Sequence, residues 1–124
     1  MPEQKKKILV VEDDKAICQV MQLKLTHCGF EVETAENGEV ALECVKCKKY
    51  DLILLDLIMP KIDGFDLLKD LHSLHSNTPK IVMSNLEQEE DIKKVKELGA
   101  IELLPKFEIS LTGIANYVKN YLTQ

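Results

Sequence analysis

A chain of 124 residues, 45% hydrophobic and 30% charged, has the size and balance of one globular domain that buries its core without disulfide or metal staples. Its net charge of −5 argues against broad affinity for nucleic-acid phosphates, and no apolar run approaches the roughly 20 residues of a membrane span. The basic triplet Lys5 to Lys7 is followed by an apolar run, Ile8 to Val11, too short for a secretory core, so a cytoplasmic domain is expected.

In chain order, Lys7 to Val11 is a short, continuously apolar run, as expected of a strand buried on both faces of a parallel sheet. The lysines before it read as a solubilising strand edge. Ile17, Val20, Met21, Lys24, Leu25 and Cys28 then recur at helical spacing, with Asp14 as a cap and Gly29 as a stop. Phe30 to Thr34 is a weaker strand, and Asn37 can cap a second helix striped by Val40, Ala41, Cys44 and Val45. Cys44-x-x-Cys47 falls inside that helical pattern, not at a helix start after a strand, where such motifs become reactive. With Cys18 and Cys28 it reads as small core residues, not as a metal or redox set.

Asp51 to Leu55 is a second apolar run buried on both faces, followed by helical Leu68, Leu71 and Leu74. Lys80 to Met83, after Thr78-Pro79, is the fourth strand. Acids from Glu87 to Asp91 open a helix that continues into Lys93, Lys94 and Lys96, which suits the helix dipole and offers i,i+4 pairs. Ile92, Val95 and Leu98 give its apolar face and Gly99 its stop. Ile101 to Leu104 is the fifth strand, and Leu111, Ile114, Ala115, Val118, Tyr121 and Leu122 stripe the last helix.

Strict alternation with short connections predicts an α/β fold: a doubly wound, five-stranded parallel sheet in the flavodoxin-like order 2-1-3-4-5, with five helices on both faces. No repeat or linker interrupts residues 1–124, so one domain is expected. Its ligand site should lie beyond the carboxyl ends of the central strands. Standing there are Glu12, Asp13 and Asp14 after the first strand, Asp56 after the third, Ser84 after the fourth and Lys106 after the fifth.

Gathered carboxylates repel one another and either raise a pKa or take up a cation. Hard oxygen ligands suit Mg²⁺, with Glu12 and Asp13 holding the metal and Asp14 serving as the helix cap. Beside it Asp56 becomes a carboxylate nucleophile able to form an aspartyl phosphate. Lys106 can neutralise a phosphoryl oxygen and the Ser84 hydroxyl can hydrogen-bond another.

The segments "ILVVEDD", "AENGEVAL", "DLILLDLIMPKIDGFDLL", "TPKIVMS" and "ELGAIELLPK" together resemble the receiver domain of two-component response regulators, the CheY-like family, over almost the whole chain. The resemblance implies that Asp56 accepts phosphate, that Glu12, Asp13 and Asp56 bind Mg²⁺ with the main-chain carbonyl of Ile58 as a further ligand, and that Ser84 and Lys106 contact the phosphoryl group. It further implies a phosphohistidine donor on a histidine kinase or phosphotransfer protein, and an unknown downstream partner engaged through the fourth helix, fifth strand and fifth helix. No turnover of a separate substrate is expected. His27, His72 and His75 read as surface or core histidines, not as donors.

Three positions depart from the family pattern. Leu103 stands where the family usually has an aromatic switch residue, so an inward-turning ring cannot be the readout. The usual Lys-Pro peptide is inverted, since Pro105 precedes Lys106 and Phe107 follows it, which leaves a trans Lys106–Phe107 bond or a costly cis one open. Asn85 replaces a small residue and either crowds the phosphoryl entry or hydrogen-bonds within it.

Two rivals follow. One is a receiver-like module that docks partners independently of phosphate, motivated by Asn85 and Leu103. The other is a flavin or phosphate-ester enzyme of the same topology. The acidic "EDDKA" would repel an anion where a flavodoxin needs a hydroxyl- and glycine-rich loop, and Ile58 stands where a haloacid-dehalogenase-like phosphatase wants a second acid. Ending just past the final helix, the chain reads as a stand-alone domain or a piece trimmed from a longer regulator.

Overall fold

The computed structural model describes residues 5–59, 62–74, 77–84, 89–106 and 109–123. Five strands, β1 (Lys7–Val11), β2 (Glu31–Ala35), β3 (Leu52–Leu55), β6 (Lys80–Ser84) and β7 (Ala100–Pro105), form one parallel sheet. Their order is β2-β1-β3-β6-β7. A two-residue antiparallel ladder, β4 (Ile58–Met59) with β5 (Ile62–Asp63), lies outside that sheet. Leaving it aside, the order is the expected 2-1-3-4-5. The ladder itself was not anticipated, because two residues are too few to carry a period.

Alternation along the buried strands sorts the core into two layers. Leu9, Val11, Ile53, Leu55 and Val82 face α2 (Gly38–Cys47), α3 (Gly64–Leu74) and α4 (Glu89–Glu97), where they meet Ala41, Val45, Leu68, Leu71 and Val95. Ile8, Val10, Leu52, Leu54, Ile81 and Met83 face the other way, onto Met21 and Leu25 of α1 (Lys15–His27) and Ile114, Val118 and Leu122 of α5 (Leu111–Leu122). Each such fully buried Leu, Ile, Val or Met side chain contributes about 1.5–3 kcal/mol. Among the described residues no helix is long and apolar enough to cross a membrane.

The helix ends follow the local chemistry. Asp14 Oδ1 accepts the amide hydrogens of Ala16 at 3.0 Å and Ile17 at 3.1 Å, and Asn37 Oδ1 accepts that of Val40 at 2.8 Å. Ser110, a cap the sequence reading did not name, does the same for Gly113 at 3.0 Å. Gly29 and Gly99 close α1 and α4 at φ 98° and 108°, in the left-handed region that glycine enters without strain. A Cβ on Gly99 would also collide with the His72 imidazole.

Lysines of α4 reach neighbouring elements. Lys94 lies 4.4 Å over the Phe65 ring of α3, and Lys96 pairs with Glu102 of β7 at 3.8 Å. The register between β6 and β7 slips between Lys80 and Ile81, which pair with Ala100 and Glu102, so Ile101 is extra and exposed. Lys80 itself is fully buried, which its place at the head of an apolar run did not announce.

Candidate functional site

Strand register brings four chain segments to one edge. Val11 pairs with both Ala35 and Leu55, and Ser84 pairs with Pro105. The hydrogen bonding runs one residue beyond the strands: Glu12 donates to the Ala35 carbonyl at 3.0 Å, Asp56 to Val11 at 3.0 Å and Lys106 to Ser84 at 3.2 Å. The backbones of the acid, the central aspartate and the lysine are therefore fixed by the sheet itself.

Their side chains converge. Lys106 Nζ donates to Asp56 Oδ2 at 2.8 Å and to both Glu12 oxygens at 3.0 and 3.1 Å. Glu12 and Asp56 are only 1% and 4% exposed, so these are charge-assisted bonds in a largely dry setting. Asp13 is the most exposed of the three acids, and one carboxylate oxygen each from Glu12, Asp13 and Asp56 lies within 4.8 Å of the others. Asp14 stays outside the group as the α1 cap, as expected, although its amide donates to Glu12 Oε1 at 3.3 Å.

Electrostatics follow from this packing. Burial pushes the Glu12 carboxyl up to about 7; the Lys106 hydrogen bond works against that, and the Asp56 charge adds to it. Burial also opposes the Lys106 ammonium, but its bonds to Asp56 and Glu12 outweigh that and hold it above the ordinary lysine value. One cation thus faces three carboxylates. An all-oxygen, acid-rich donor set of this kind fits a hard divalent cation, with no thiolate or imidazole in the group.

Ser84 completes the edge in an unusual way. Its hydroxyl is buried and has no hydrogen-bond partner among the described residues. Leaving such a group unsatisfied costs about 1–3 kcal/mol, and such groups call for an explanation.

Other expectations fall as follows. Ile58 opens the β4–β5 ladder, two residues beyond Asp56, with Asp63 as its partner. Leu103 is 9% exposed and belongs to the core layer under α2, α3 and α4. Asn85, Phe107 with the Lys106–Phe107 peptide, and His75 lie outside the described residues. His27 is exposed at the end of α1, and half-buried His72 has its Nδ1 3.3 Å from Lys80 Nζ. The sequence reading missed a cleft of about 270 Å³ beside Glu12, between α1 and β2, lined by Lys15, Cys18, Thr34 and Glu36. No spacing rule joins residues from two separate elements into such a wall.

Comparison with known proteins agrees with this geometry. Residues 8–116 match the family profile of the response regulator receiver domain. The alkaline phosphatase synthesis transcriptional regulatory protein PhoP of Bacillus subtilis is 38% identical over 101 residues, 82% of this chain and 42% of that protein. The transcriptional regulatory protein CpxR homolog of Haemophilus influenzae is 42% identical over 102 residues, covering 81% and 43%. The chain thus spans less than half the length of these relatives. Among solved structures, the CheY-like receiver domain protein of Methanospirillum hungatei superposes with a TM-score of 0.89 at 27% identity, over 97% of this chain and 95% of that one. The receiver domain of Francisella response regulator 1452 gives 0.81 at 31%, over 95% and 99%. The chain belongs to the response regulator receiver domain family of two-component systems.

Proposed function

We propose that this domain accepts a phosphoryl group on Asp56 from a phosphohistidine of a histidine kinase or histidine phosphotransfer protein, and that the modified domain shifts conformation to control a partner. The observation that carries this reading is the placement of the Lys106 ammonium on Asp56 Oδ2 at 2.8 Å, inside the Glu12, Asp13 and Asp56 group. An Asp56 carboxylate oxygen attacks phosphorus, the phosphorus–nitrogen bond of the donor breaks, and the donor imidazole keeps the electron pair and takes up a proton.

Glu12, Asp13 and Asp56 would hold Mg²⁺, with the Ile58 carbonyl as a further ligand. Bound there, the metal supplies neutralising charge and orientation for the phosphoryl oxygens. Lys106 already sits on the acceptor carboxylate and can follow the charge outward onto a phosphoryl oxygen. Ser84, whose hydroxyl has no partner among the described residues, has a hydrogen to donate to another. Differential contacts of this kind are what a population shift requires. With Leu103 in the core in place of a mobile ring, the shift is read through α4, β7 and α5, where Ile101 and Tyr121 are exposed.

The domain acts on itself, forming and later hydrolysing its own aspartyl phosphate, with no turnover of a separate substrate. A cytoplasmic location goes with this reading. Because the relatives are named as transcriptional regulators and are more than twice as long, control of transcription by a longer protein containing this domain is the output those names favour. Incubation with Mg²⁺ and acetyl phosphate should add one phosphate by intact mass, and Asp56→Asn should abolish it. Absence of any adduct, or an adduct that survives Asp56→Asn, refutes the assignment.

A further inference from the structure

Glu12, Asp13 and Asp14 are consecutive acids in three different surroundings. Glu12 is buried, and its amide is tied to the sheet by the Ala35 carbonyl at 3.0 Å. Asp14 is exposed, and its carboxylate serves α1, where Oδ1 accepts the amide hydrogens of Ala16 and Ile17 at 3.0 and 3.1 Å. Asp13 stands between them, and among the described residues its carboxylate makes no hydrogen bond or ion pair. It nevertheless belongs to the acidic group with Glu12 and Asp56.

A side chain with no bonds of its own is aimed by its backbone. For Asp13 that backbone has two anchors. One is the β1 ladder, which reaches it through Glu12. The other is the turn at Asp14, extended at φ −77° and ψ 112°, whose carbonyl accepts the Cys18 amide hydrogen at 2.9 Å. The same turn presents the Asp14 amide to Glu12 Oε1 at 3.3 Å, so it steadies a second acid directly. Glu12 is also held by Lys106 through both oxygens, a support that Asp13 lacks. An N-cap side chain satisfies helix amides that have no partner within the helix, and without it the first turn loosens. Asp13 is then the acid whose aim suffers most.

We propose that Asp14 is a positioning residue for divalent-cation binding at Glu12, Asp13 and Asp56: its cap on α1 fixes the turn that aims Asp13 and steadies Glu12. The inference rests on the reading of that group as the magnesium site. The hydrogen bonds of the cap, and not the negative charge of Asp14, carry the effect. Asn and Ser cap a helix about as well as Asp, and Ala does not, so the two contributions separate by substitution. Residues that orient metal ligands typically account for about 10–100-fold in metal affinity.

The test follows amide chemical shifts as MgCl2 is added to wild type and to four variants. Asp14→Ala should raise the Mg²⁺ dissociation constant by about 10-fold or more. Asp14→Asn and Asp14→Ser should restore an affinity close to that of wild type. Asn37→Ala, which removes the cap of α2 in the same way, should lower the denaturant midpoint as Asp14→Ala does and leave Mg²⁺ affinity unchanged. Circular dichroism reports the fold of each variant. Wild-type affinity in Asp14→Ala, an Asp14→Asn as weak as Asp14→Ala, or an equal loss in Asn37→Ala overturns the positioning role alone. A wild type that does not saturate with Mg²⁺ overturns the magnesium reading and this inference with it.

Discussion

The Lys106 ammonium touches Asp56 Oδ2 at 2.8 Å and both oxygens of Glu12 at 3.0 and 3.1 Å, so one side chain from the end of β7 neutralises acids delivered by β1 and β3. Removing one partner of a buried ion pair strands the other. Lys106→Met should therefore lower stability by about 3–5 kcal/mol in metal-free buffer at pH 8. The deficit should shrink at pH 5, where Glu12 is protonated, and on addition of Mg²⁺. Thermal melts under the three conditions check this; a deficit independent of pH and Mg²⁺ would assign Lys106 to packing alone.

Glu12 gives a pH dependence of definite sign. Its carboxyl sits at about 7 in the folded chain against 4.5 ordinarily, because burial disfavours the charged form. The native state thus binds more protons than the unfolded one between those values, and stability falls as pH rises through that window. In urea unfolding with a chelator present, wild type should lose on the order of 1–3 kcal/mol between pH 5 and pH 8 relative to Glu12→Gln. A flat difference between the two proteins would rule this out.

Ser84 links stability to function with opposite signs. Because its buried hydroxyl lacks a partner among the described residues, Ser84→Ala should stabilise the unphosphorylated domain by about 1 kcal/mol. The same change should weaken the conformational response to acetyl phosphate, followed as chemical-shift changes in α4 and β7. A destabilised variant with an intact response would sink both halves.

At the other end of β6, Lys80 is fully buried, donates to the Thr78 carbonyl at 2.8 Å and lies 3.3 Å from His72 Nδ1. Burial pulls its ammonium down to about 8, from the ordinary 10.5. Here the unfolded state binds more protons between those values, so stability should rise with pH across that range. Lys80→Met should remove the rise and leave the protein at least as stable at pH 7, since apolar groups of similar volume often replace buried charges without loss. Denaturant midpoints at pH 7, 8.5 and 10 decide it.

Much of this was legible in the residues because the signals were local. Asp14, Asn37, Gly29 and Gly99 announce helix ends through the chemistry of one turn, and the structure uses each as expected. Apolar runs ending in Glu12 and Asp56 placed those acids on one edge, because parallel strands of a doubly wound sheet share a direction. The rest depends on distances between elements. Asp51 was assigned to the third strand, yet β3 begins at Leu52, and the Asp51 side chain accepts the Lys7 amide at 2.7 Å. Lys80 reads as a strand flank until α3 covers it with His72. Nothing in "CVKCKKY" reveals that its tyrosine hydroxyl closes on Glu33 of β2.

Among the described residues the two apolar layers share no buried side chain: alternate residues of β1, β3 and β6 commit wholly to one or the other. A rearrangement at the aspartate edge that displaces α3 or α4 therefore repacks the layer of Leu9, Ile53 and Val82, leaving Met21, Leu25, Ile114 and Val118 in their seats. The surface formed by α4, β7 and α5 can therefore change through α4 while α5 keeps its place.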